Sequence, residues 1–222
     1  MRIAITGLLS LSVIAMLALA APVLAADADV TAASAQFTLP PPTTPFLKVV
    51  AADQARFDHL KRQGYRCFKS IQHAVDTCDN GYTVFVTAGE YREDVLVINI
   101  KDLEIIGEDG AVVIADRDEH VIDIEYCTGV HVANLQVVHE TGESPCLNNC
   151  FVILDCLHVL IEHCDISGCG YIGVEVLGNG QPGDIRVENC YIHDCEVAFY
   201  DVTGGALADA HNTLARNTEE RW

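Results

Sequence analysis

The sequence predicts an all-β fold, a single-stranded parallel β-helix of about five coils, and three observations predict it. A hydrophobic pattern recurs every 26–29 residues in one register. Within each short strand the apolar residues alternate with period two, the mark of a sheet buried on one face. The repeats are also too short to carry a helix between parallel strands. Coils of this length bury few side chains each, so their stability comes from stacking like residues on like.

The repeat is read from Val130–Val137, Val159–Ile166 and Ile185–Ile192, with Leu103–Gly107 joining the first half of the register. Val130, Val159 and Ile185 form one column, Val132, Ile161 and Val187 a second, and Val137, Ile166 and Ile192 a third. Asn134, His163 and Asn189 fall at the bend between strands, where a side-chain amide can bond backbone groups opened by the turn. A further strand precedes each of these units: Val95–Val97, Ile122–Ile124, Phe151–Ile153, Ile172–Val176 and Ala198–Val202.

The other elements follow in order. Residues 1–25 join Arg2, the apolar run Leu8–Leu19, the helix breaker Pro22 and the small residue Ala25, the pattern of a secretory signal peptide. The protein is therefore expected to be secreted or periplasmic, with no membrane span after signal removal. Residues 26–45, rich in Ala, Thr and Pro, read as an extended linker. The β-helix domain is expected over 46–222. It opens with a helical cap over about 53–79: Asp53–Gln63 stopped by Gly64, then a helix N-capped by Ser70 with Ile71, Ala74, Val75 and Cys78 on one face. Coils occupy about 82–203, and 204–222 form a partial coil or a cap, because Leu207, Ala210 and Leu214 suit either.

With 13 Lys and Arg against 32 Asp and Glu, the net charge is −19. Nucleic acid and anionic membrane surfaces are thereby excluded as partners, since phosphates need compensating cations. Ten cysteines in an exported chain suggest disulfides. Cys67 and Cys78 flank the capping helix. Cys127 with Cys156, Cys164 with Cys190, and Cys169 with Cys195 lie one coil apart, and Cys146 with Cys150 share a loop. Stacked ladder positions are a little long for a bridge, so Cys164 and Cys190 read equally as packed thiols.

Ser70–Asp76, Gly81–Glu93 and Leu103–Gly107 together resemble the opening of right-handed β-helix proteins of the pectin-lyase-like superfamily. That group includes pectin methylesterases, pectate lyases and periplasmic proteins of copper-enzyme maturation. The resemblance implies a right-handed helix and a groove over the sheet preceding the strand that leads to the Asn-type bend. It also implies an acidic polysaccharide as partner. The catalytic stretches of pectin methylesterases and the paired-Asp signatures of polygalacturonases do not occur here.

On the sheet so implied, the outward positions include Glu125, Leu154, Glu175 and Asp201. Adjacent coils would hold the carboxylates of Glu175 and Asp201 roughly 5 Å apart, as a calcium site or a retaining-glycosidase pair. Arg186, outward on the next strand, would steady a substrate carboxylate. The alternatives are ordinary solvated charges on a non-catalytic binding or structural solenoid, or a metal-delivery accessory protein like the copper-maturation relatives. His131, His139, His158 and His193 show no metal-ligand spacing.

Overall fold

The computed structural model describes residues 37–115, 119–140, 148–168, 171–178 and 183–221. The predicted signal peptide and most of the linker lie outside them. Three parallel sheets wrap one core. Sheet A carries Leu47–Val50, Cys67–Phe68, Thr83–Val86, Glu104–Gly107, His131–Ala133, Val159–Glu162, Ile185–Glu188 and Leu207–Ala210. Sheet B carries Gly89–Arg92, Ala111–Ala115, Gln136–His139, Asp165–Ser167, Tyr191–His193 and Thr213–Ala215. Sheet C carries Val95–Ile98, Ile122–Glu125, Phe151–Leu154, Ile172–Leu177, Val197–Asp201 and Glu219–Arg221. Successive A, B and C strands complete six coils between Thr83 and Arg221. The last three strands resolve the two readings of the C-terminal segment in favour of a coil.

The predicted columns are the observed register. Ile161 pairs with Val132 on one side and Val187 on the other. Ile166 pairs likewise with Val137 and Ile192. All six side chains are fully buried.

The first coil has no coil before it, and a helix covers its core. Ile71–Asp76 buries Ile71, Ala74 and Val75 against Val84, Val86, Val97 and Ile105. Glu93 anchors this helix by accepting from the N–H groups of Ile71 and Gln72 at 2.8 and 3.0 Å and from Ser70 Oγ at 2.7 Å. The Gln72 amide then pairs with both backbone groups of Leu96, at 2.6 and 3.1 Å, and so occupies an edge that would otherwise be open. At the other end of the helix, fully buried Lys48 donates to Thr77 Oγ1 at 2.7 Å and to the Ala74 carbonyl at 3.4 Å. A cation there complements the helix C-terminus, although burial lowers the Lys48 pKa. The other helix, Gln54–Arg62, is N-capped by Asp53 and lies outside sheet A, with Leu60 packed on Leu47, Val49 and Phe85. Phe37 and Leu39 pack on the same cluster, so the end of the predicted linker is part of the folded unit.

The chain turns its corners through residues in left-handed conformation. Asn134, His163, Asn189 and His211 have φ of 52–57° between sheets A and B, and Asp194 and Arg216 have 56° and 53° between B and C. Asn134 Nδ2 donates 2.8 Å to the Gly107 carbonyl of the preceding coil. Gly107 has to be glycine: a Cβ there would lie 2.1 Å from the Asn134 carbonyl oxygen.

The same corners explain the cysteines, and here the structure departs from the disulfide scheme. Cys67, Cys78, Cys127, Cys156, Cys164, Cys190 and Cys195 are free thiols. The pairings Cys67/Cys78, Cys127/Cys156 and Cys164/Cys190 are therefore not bridges, whereas Cys146 and Cys169 lie outside the described residues, and their pairings with Cys150 and Cys195 with them. Each corner thiol donates to the carbonyl two residues before it: Cys127 to Glu125, Cys156 to Leu154, Cys164 to Glu162 and Cys190 to Glu188. Three of these sulfurs also accept a backbone N–H from the coil before: Cys127 Sγ from Ile100 at 3.4 Å, Cys156 Sγ from Cys127 at 3.3 Å and Cys190 Sγ from Cys164 at 3.4 Å. In the last coil Asn212 and Asn217 perform that task for Cys190 and Cys195, both at 2.9 Å. A strand spacing of about 4.8 Å suits such a relay better than a disulfide, whose Cβ atoms lie about 3.8 Å apart.

Two consequences are measurable. Ile161→Ala should cost about 2–5 kcal/mol, seen as a lower denaturant midpoint at unchanged slope. Cys190→Val removes the acceptor of the Cys164 N–H and should cost about 1–3 kcal/mol. Cys190→Ser, which keeps an acceptor, should cost less, and alkylation of the unfolded, unreduced chain should label Cys127, Cys156, Cys164 and Cys190 as thiols.

Candidate active site

Sheet C precedes the strand that leads to the Asn-type bend, and its outward residues form two columns along the helix axis. One runs Leu96, Asp123, Val152, Glu175, Tyr200 and the other Ile98, Glu125, Leu154, Leu177. Glu125 and Leu154 are neighbours as the sequence predicts. Glu175 faces outward as predicted but stands in the other column, because Phe151 pairs with Val174 and not with Ile172.

Asp201 is not its partner. It pairs with Val176, whose side chain points into the core, and this shift of one residue turns Asp201 away from the face of Glu175. The Asp201 carboxylate organises the following turn instead, accepting from Thr203 N at 2.8 Å, Thr203 Oγ1 at 2.5 Å, and Gly205 N and Leu207 N at 3.2 Å each. Burial pushes its pKa up, but these hydrogen bonds outweigh burial and the net shift is downward. The paired site expected for calcium or for a retaining mechanism therefore lacks its second carboxylate. Among the described residues no group of three or more His, Cys, Asp or Glu side chains is placed to hold a metal ion. Arg186 belongs to sheet A, where its guanidinium contacts Glu188 at 3.3 Å and Asp184 at 3.6 Å, so it does not face Glu175.

Glu175 shares its column with Asp123, two coils away, with Val152 between them. The Asp123 carboxyl is raised to about 6, first by burial and then by the neighbouring Glu125, Asp94 and Glu119. Its Oδ1 is buried and accepts no hydrogen bond from any of the described residues. Burial also raises Glu175, and Asp123 adds to that, while His120 and a hydrogen bond from Asn149 act against it. The Asn149 side chain is itself fixed. Its Nδ2 donates 2.6 Å to Glu175 Oε2, its Oδ1 accepts from Ile172 N at 3.1 Å, and its backbone N–H donates 2.9 Å to His120 Nδ1. With Nδ1 accepting, the neutral His120 ring carries its proton on Nε2. Burial lowers its pKa, which favours that neutral form. Beside it the buried His139 ring meets the Glu119 carbonyl at 2.9 Å.

Sequence reasoning missed Asp123, His120 and Asn149. The alternation Ile122-Asp123-Ile124-Glu125 carried the signal for Asp123, because period two puts both acids outward. His120 and Asn149 belong to irregular segments between sheets B and C, and the repeat has no register there.

The family model described as "Right handed beta helix region" matches residues 124–219. Among solved structures, a mutant of pectin methylesterase in complex with a hexasaccharide is similar with a TM-score of 0.52 and 14% identity, over 78% of this chain and 67% of that one. A second pectin methylesterase complex, with another hexasaccharide, gives 0.50 and 13% over the same shares. None of the curated proteins matches the chain. No helix among the described residues is long and apolar enough to cross a membrane. The chain has a right-handed parallel β-helix fold.

Proposed function

We propose that this is an exported, polysaccharide-directed protein that cleaves glycosidic bonds on the outward face of sheet C, with Asp123 as acid and Glu175 as base. The observation that carries the reading is the buried Oδ1 of Asp123, without a partner among the described residues, in the same outward column as Glu175. Two coil spacings separate the Cα atoms by about 10 Å. Carboxyl groups about 6.5–9.5 Å apart leave room for a water molecule and give inversion at the anomeric carbon. The hexasaccharides bound by the two structural neighbours support a glycan partner for this fold, and the predicted leader at residues 1–25 supports export.

The proton balance is simple. Asp123, protonated in mildly acidic solution, gives its proton to the glycosidic oxygen as the bond to the anomeric carbon breaks. Glu175 takes a proton from the water that attacks that carbon from the other side. Exchange with solvent then restores both groups. Asn149 holds the Glu175 carboxylate still, and burial lifts the pKa of Asp123 toward the working pH of a general acid.

Asp123→Asn and Glu175→Gln should each lower kcat by about 10²–10⁴-fold while leaving the fold intact by circular dichroism. The first product observed by NMR should have inverted anomeric configuration. Retained glycan binding with no product from the wild-type protein would replace this reading with that of a non-catalytic binding module.

The Asp123 carboxyl also sets a pH dependence of stability. Its pKa is raised on folding, so the folded state favours the protonated form. That contribution is complete below the unfolded value near 3.8 and is lost as pH rises through about 6. Asp123→Asn should therefore raise Tm more at pH 7.5 than at pH 4, by roughly 2–4 °C for each kcal/mol of relieved desolvation, measurable by calorimetry at the two pH values.

A further inference from the structure

From the same face we infer, building on the reading above, that the substrate is an uncharged polysaccharide laid along the helix axis, and not the acidic polymer that the family resemblance implies. The nine residues of the two outward columns are Leu96, Val152, Tyr200, Ile98, Leu154 and Leu177, with the acids Asp123, Glu125 and Glu175. None is Lys, Arg or His. Leu96 and Ile98 are 39% and 43% exposed, and the turns that leave the sheet add exposed Tyr126, Leu157 and Val202. Of the large exposed apolar side chains among the described residues, only Phe46 lies elsewhere.

The other two sheets are covered differently. On sheet A, Arg186 pairs with Glu188, and His131 meets Glu162 at 2.9 Å. On sheet B, Arg92 holds Glu140 through both guanidinium nitrogens, His193 contacts Asp165 at 2.9 Å, and Arg216 grips Asp194. On those two faces the cations are taken up by neighbouring acids, and the first strands of sheet A are covered by the helix Gln54–Arg62. Sheet C alternates apolar side chains with acids that have no cationic partner in either column, and Leu177 and Leu157 continue into a cleft of about 410 Å³ lined also by Asp155 and Thr203.

Sugar chemistry fits this alternation. The C–H faces of a pyranose rest on apolar and aromatic side chains, while its hydroxyls donate to carboxylate oxygens. A polymer along the axis meets an equivalent outward position with every coil, about 4.8 Å on. A uronate polymer would instead bring a carboxylate of its own against each acid of the columns, which hold no Lys, Arg or His to compensate. Raising two carboxyl pKa values in a half-buried site is compatible with a neutral ligand, whereas an anionic one would push both further and oppose ionisation of the base.

The test is isothermal titration of the full chain with neutral hexasaccharides (xylo-, cello-, manno- and galacto-) and with hexagalacturonate, with and without calcium, in wild type and in Leu154→Lys and Leu177→Lys. Neither leucine takes part in proton transfer. At least one neutral hexasaccharide should bind wild type at least tenfold more tightly than hexagalacturonate, with little dependence on salt. Each lysine variant should weaken the neutral ligand about tenfold and narrow the gap to hexagalacturonate. Tighter binding of hexagalacturonate to wild type would overturn the uncharged class while leaving the Asp123–Glu175 pair in place. Binding of no neutral hexasaccharide would overturn it equally. Neutral binding that both lysine variants leave unchanged would remove the glycan from sheet C, and the proposed catalytic face with it.

Discussion

Parallel stacking of equivalent side chains is the constraint on which the rest of this molecule depends. A single coil of Val132, Val137 and Ile153 encloses too little apolar surface to hold together, and only the coils above and below complete its core. Every residue is thereby judged by its column as well as by its strand. A wrong side chain at Ile161 is felt at Val132 and Val187, because those are the atoms it packs on. The same constraint makes the first coil expensive, since it has no predecessor. The chain meets that cost with polar groups placed at each exposed backbone site: Glu93 on the helix N-terminus, Gln72 on the edge of sheet C, and Lys48 on the helix C-terminus.

Stacking also decides what the cysteines do. At a corner the backbone leaves the sheet, and an N–H there loses its ladder partner. An acceptor on the next coil must reach it. Asn212 and Asn217 do so with amide oxygens, and Cys156 and Cys190 do so with sulfur. A thiol fits because it is small, tolerates burial, and both accepts and donates weakly. The even count and regular spacing that suggest a disulfide framework are consequences of the repeat, which asks for one such residue at the same corner of successive coils.

The fold was legible because its signal is redundant: four coils spell one register, and an error in one is corrected by the others. Thus the columns through Val132 and Val137 are observed as predicted. The site was half legible, for a reason that lies in the parity of the register. Ile172–Leu177 starts two residues ahead of the strand it stacks on, and a slip of two keeps Glu175 on the outward face while moving it to another column. Val197 pairs with Ile172, one residue from the register expected from Ala198, and a slip of one turns Asp201 inward. An outward residue is predictable from alternation alone, but its neighbour across the coil requires the loop lengths, and these vary. Arg186 stands outward on the next strand as expected, but its guanidinium is taken by Asp184 and Glu188 of its own face.

What distinguishes the three faces is how their charges are balanced. Sheets A and B spend their cations on their own acids, through Arg186 with Glu188 and Arg92 with Glu140. In a chain with 13 basic and 32 acidic residues, cations are scarce, and the outward columns of sheet C receive none. Had Asp123 been solvated or paired, its carboxyl would behave as an ordinary surface acid. Half-buried beside Val152, with one buried oxygen that no described residue partners, its carboxyl is raised to about 6, the pH range where a proton donor is useful. Such a group destabilises the folded chain at neutral pH, and nothing in the stacking of the core requires it, since the inward positions Ile122 and Ile124 carry the packing on either side of it. A destabilising group that the architecture does not need, on the face whose charges are left unbalanced, is where function rather than folding accounts for the choice of residue.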